Sequence, residues 1–128
     1  GHDGCTFTTP SPGDPLEPWW FHELVLLHGL AGYAARAGDE RAWRLMCSSA
    51  AFQRAEIQPD HATADPWAIH AFILNPQTVD AADNLLNACM IQYGGEPRGV
   101  ALVLLADALY CLRHVAQFRK QDGKLKSV

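Results

Sequence analysis

The segment Asp60-His61-Ala62-Thr63-Ala64-Asp65-Pro66-Trp67-Ala68-Ile69-His70 places two carboxylates and two imidazoles within eleven residues. Aspartate and histidine are the side chains used for proton transfer and metal ligation. Loops held between rigid helices commonly carry function. Asp60, His61 and His70 are therefore candidate catalytic residues for acid–base chemistry. Each neighbour also has a structural reading. Asp65 before Pro66 has the form of a helix N-cap that Thr63 can assist, Asp60 after Pro59 can close an Asx-turn, and Trp67 reads as a core anchor.

Glu23 is the fourth catalytic candidate. From Trp19 to Ala34 the chain is apolar apart from His22, Glu23 and His28. A carboxylate in such a helix must be paired, be protonated or reach an edge. The structural alternative places Glu23 near the helix start, facing water and the positive end of the dipole. His22 and His28 do not make an H-E-x-x-H pair. Six residues apart, they lie about 120° from one another around a helix, too far for one metal to hold both easily. Asp107, Tyr110 and His114 follow i, i+3, i+7 and share one helix face. Asp107 is the most isolated charge in the chain. It is predicted to form a buried pair with Arg36 or Arg41, or to be a functional carboxylate.

The cysteines Cys5, Cys47, Cys89 and Cys111 form no C-x-x-C pair, so no thiolate metal site is expected. They read as buried free thiols, with a disulfide through Cys5 as the alternative. Free thiols fit a reducing compartment and hence a cytoplasmic location. No cofactor is expected either, because no phosphate-binding glycine pattern exists and Gly94-Gly95 is helix punctuation.

These residues must be positioned by one domain, which is what 128 residues allow. A composition of 48% hydrophobic and 19% charged residues, with net charge −4, is that of a globular chain. There is no basic stripe, so nucleic acid is not an expected partner. The longest apolar run, Gly99 to Ala106, falls well short of the roughly 20 residues that cross a bilayer, so no membrane insertion is expected. A small-molecule ligand is not specified by any motif.

Three parts are predicted: an irregular arm over 1–13 opening on Gly1-His2, which reads as a tag remnant; a helical domain over 14–122; and a basic tail over 123–128. Asp14-Pro15 supplies an N-cap followed by proline, and the first helix runs to Arg36, where Gly38 ends it. Asp39 caps a second helix over 40–57. Asp65-Pro66 opens a short third helix to Leu74, Asn75-Pro76 a fourth to Tyr93, and Glu96-Pro97 a fifth to Lys120, before Gly123. The fold class is therefore all-α, with about five helices as antiparallel hairpins.

The helices are of two kinds. The second and fourth are amphipathic. The first, third and fifth are apolar nearly all round, and a helix of that kind must be covered on every side. The first and fifth are predicted to be the most buried and to pack together. The order inner, outer, inner, outer, inner is what stacked helical hairpins require. The stretches WWFHELVLLHGLAGYAARAGD and QPDHATADPWAIHAF resemble the hairpins of α/α-toroid proteins, the terpenoid-cyclase-like and six-hairpin glycosidase-like superfamilies. The likeness spans residues 15–120, concerns architecture and transfers no catalytic residue. It implies a toroid- or solenoid-like structural or interaction domain, closed by a homo-oligomer partner or by the remaining hairpins of a longer chain. The alternative it implies is a toroid-type enzyme acting on a carbohydrate or isoprenoid substrate by Asp, Glu and His acid–base chemistry.

Overall fold

The computed structural model describes residues 6–8 and 16–126, with side chains described for 6–8 and 18–115. Every element among them is helical. The all-α expectation holds, with six helices. The predicted first cap at Asp14-Pro15 and most of the arm lie outside the described residues.

Helix α1 (Leu16–Ala37) ends where Gly38 takes a φ of +64°. Asp39 then caps α2 (Glu40–Phe52), its carboxylate accepting from the backbone N–H of Arg41 at 2.9 Å and of Ala42 at 3.2 Å. With only Gly38 and Asp39 between them, α1 and α2 pack side by side. A π-helical turn, Gln53–Ile57, extends α2 and stops at Gln58, a non-glycine residue with φ +56°. A single turn, α3 (Pro59–Ala62), follows. Next come α4 (Ile69–Leu74), a 3-10 turn (Pro76–Thr78) capped by the Asn75 side chain, and α5 (Val79–Gln92). Gly94 and Gly95, with φ of +62° and +89°, end α5 as expected, and α6 spans Val100–Lys126.

Three boundaries differ from expectation. Asp65 does not cap α4: the helix starts at Ile69, and the position before it is held by Ala68 at φ +60°. A tertiary partner wins over the local one, because the Tyr93 hydroxyl donates to Asp65 Oδ1 at 2.5 Å. The last helix starts at Val100 and not at Pro97, since Gly99 adopts φ +56° and breaks the run. It also continues past Gly123, a residue that costs a helix interior about 1 kcal/mol without forbidding it.

The expectation that the first and last helices are the most buried is corrected in part. They do pack together, and the contacts from His28 to Asp107 and from Gly32 to Cys111 step forward in register, so α1 and α6 run the same way. The centre, however, belongs to the short α4, which touches α1, α2, α5 and α6. Phe72 on α4 is fully buried with Leu24, Leu27, Met46 and Leu85. Over its described side chains, 100–115, α6 buries one face, Ala101, Leu104, Ala108, Cys111 and Val115. No helix among the described residues is long and apolar enough to cross a membrane.

Candidate functional site

The most concentrated polar chemistry inside the fold lies where α1, α4 and α6 meet. His28 points from α1 toward α6, and its Nε2–H donates to Asp107 Oδ2 at 2.6 Å. The backbone N–H of Ala68 donates to His28 Nδ1 at 3.0 Å. An amide can only donate, so Nδ1 is the unprotonated nitrogen and the tautomer is assigned. The left-handed Ala68, an uncommon conformation for a residue with a Cβ, aims this amide at the ring. His70 Nε2–H donates to the His28 carbonyl at 3.2 Å, and the two rings meet edge to face at 4.4 Å. Trp67 closes the group with its ring edge-on to His28 at 5.4 Å.

Burial, first, and the neighbouring His28, second, push the His70 pKa down from 6.5 to about 4. His70 is thus a neutral imidazole at pH 7. Its Nδ1 is buried with no hydrogen-bond partner. Burial, followed by the nearby Asp107, also raises the Cys111 thiol above its ordinary pKa. Both nitrogens of His28 are committed, and His70 is fully enclosed. The cluster can therefore lock three helices, and its two imidazoles offer no open position for a substrate.

Glu23 is fully buried, not facing water as its structural alternative proposed. Its carboxylate accepts from the backbone N–H of Phe7 at 2.8 and 3.1 Å, the N–H of Thr8 at 2.8 Å and the Thr8 hydroxyl at 2.9 Å. The indole N–H of Trp19 in turn donates to the Thr8 oxygen at 2.7 Å. Consecutive amide donors satisfy a carboxylate without a cation. The acid expected in an apolar helix is thus the clasp that holds residues 6–8 on α1.

Asp60 and His61 lie on α3, their side chains 3.8 Å apart, with His61 exposed. Asp60 lines an open groove of about 340 Å³ with Arg54, Gln58, Asp80 and Asn84. In that groove Arg54 grips Asp80 through two guanidinium nitrogens, at 2.7 to 3.1 Å, which holds the Asp80 carboxyl below its usual range. Of the four predicted catalytic residues, Asp60 and His61 adjoin one another, whereas His70 and Glu23 occupy separate interior sites. Asp107 pairs with His28 and not with Arg36 or Arg41; Arg36 lies over the Tyr110 ring at 5.8 Å. Tyr110 and His114 share a face and stack.

The His28–Asp107 link was the residue pairing that sequence reasoning missed. A signal for it exists, since each is an isolated polar residue in an otherwise apolar helix and each needs a buried partner. Cys89 and Cys111 are buried thiols, as expected, while Cys5 lies outside the described residues. Among the described residues no group of three His, Cys, Asp or Glu side chains is arranged to hold a metal ion. Comparison of the chain with protein-family models, with curated proteins and with solved structures finds no match.

Proposed function

We propose that this chain is a structural and interaction domain, part of a larger or oligomeric helical assembly, and that it docks through the outer face of α6. One observation carries the reading. Leu102, Val103, Leu109 and Tyr110 are 57%, 66%, 50% and 58% exposed and line a single stripe of the helix. Soluble monomers seldom leave contiguous apolar patches larger than a few hundred Å² in water. The titratable groups support the same reading, because Glu23, His28, Asp65 and Asp107 are all engaged in holding segments of the chain together. A neighbouring hairpin of a toroid is one kind of element that would cover such a stripe.

The test is the paired substitution Val103→Ser and Leu109→Ser. At a concentration low enough for single chains, the expected result is native helicity, a stability change within about 0.5 kcal/mol, as for surface positions, and loss of binding of an apolar fluorescent probe. A stability loss above about 2 kcal/mol would show that the stripe is packed inside the chain and would contradict the proposal. The enzyme alternative rests on the polar groove at Asp60. Hydrolysis of a glycoside or turnover of an isoprenoid diphosphate, abolished by Asp60→Asn, would favour it.

A further inference from the structure

The outer stripe of α6 has a spacing that says more than that it is apolar. Leu102, Ala106, Leu109 and Arg113 are separated by four, three and four residues, and all four are exposed. That is the seam spacing of a two-helix coiled coil, in which each seam side chain inserts between four residues of the facing helix. Val103 and Tyr110, seven apart, flank the seam on one side. The small Ala106 lies inside the seam, where it lets a second helix come close.

Resting on the docking role proposed for this face, we infer that the occupant is a second copy of this chain, its α6 laid antiparallel on the first about a two-fold axis. Area is the first argument. With full side-chain areas of roughly 150–200 Å², the four large residues of the stripe offer on the order of 400 Å². Leu26 and Tyr33 on the adjoining α1 are likewise 42% and 54% exposed. The stripe alone is about two thirds of the roughly 600 Å² per partner found at the low end of specific protein interfaces, which suits a weak, reversible pairing. A two-fold pairing meets that need with one patch used twice.

Charge selects the orientation. In a parallel pair the Arg113 side chains would face each other across the seam, like charge against like. In an antiparallel pair Arg113 lies across from Leu102 of the other copy, where its aliphatic stem covers the leucine and its guanidinium reaches water. Ala106 then faces Leu109, and Val103 faces Tyr110, so each large side chain meets a smaller one. The two helix dipoles also oppose.

Sedimentation equilibrium of the intact chain at tens of micromolar should give twice the 14.1 kDa of one chain, and Val103→Glu with Leu109→Glu should return the mass to one chain with unchanged circular dichroism. Leu102→Cys and Arg113→Cys chains, mixed and treated with a short thiol cross-linker, should join to each other and not to themselves, with the unsubstituted chain as the control for native thiols. Self-joining of Arg113→Cys would overturn the antiparallel arrangement. A single-chain mass at every concentration would overturn self-association. In that case an apolar probe still bound at the stripe would leave the docking role standing for a different partner, and no probe binding would end both.

Discussion

The two faces of α6 are built from the same kinds of residue and have different fates. On one, Ala101, Leu104, Ala108, Cys111 and Val115 are buried against α1 and α4. On the other, Leu102, Val103, Leu109 and Tyr110 stand in water. The difference is one of size. The covered face alternates alanine and cysteine with larger residues, so that α1 and α4 can approach; Gly32 lies close enough that an added Cβ would be 3.7 Å from the Cys111 sulfur. The open face carries leucine, valine and tyrosine around the single small Ala106, with side chains that project outward. Hydropathy alone does not separate a face that a chain covers itself from one that it leaves for another.

This comparison can be broken by substitution. The largest effect is expected at Leu104→Ala, on the covered face, with a loss of about 3 kcal/mol from lost burial and the cavity left behind. Leu102→Ala, the same change on the open face of a single chain, should cost under about 0.5 kcal/mol. Denaturant unfolding of both at low concentration, where the chain is dissociated, decides between them. Equal losses would mean that the faces do not differ.

The next effect comes from acid. His70 has a folded pKa lowered to about 4 from 6.5, so the unfolded chain binds the proton more tightly. The stabilisation is complete above pH 6.5 and is lost as the pH falls toward 4. Over that window His70 should withdraw on the order of 3 kcal/mol, and His70→Gln should flatten the profile. An unchanged profile in the variant would move the acid sensitivity elsewhere. At the border of the two α6 faces, Asp107→Asn should cost about 1–2 kcal/mol in denaturant unfolding at pH 7, by weakening the hydrogen bond from His28 to a carboxylate. Asp39→Ala, which removes the α2 cap, should cost about 1 kcal/mol in a thermal melt.

How much of this could be read beforehand depended on the range of the interactions. The Asp39 and Asn75 caps and the glycine stops at Gly38 and Gly94-Gly95 are local, and the sequence shows them directly. Asp65 has the same local form, yet Tyr93, 28 residues away, takes its carboxylate. Glu23 and Asp107 were recognisable as carboxylates needing partners, but Phe7, Thr8 and His28 are supplied by tertiary packing. The candidate site dispersed for the same reason: nearness in sequence brought Asp60 and His61 together, and α4 carried His70 inward, away from them.

The central claim, that the open face of α6 is where copies of this chain meet, predicts a link between concentration and stability. Association of folded chains raises the unfolding midpoint as concentration rises. The thermal midpoint of the parent chain should therefore climb steadily from sub-micromolar to tens of micromolar, while that of the Val103→Glu, Leu109→Glu variant stays level. A parent midpoint that stays level over the same range would contradict the claim.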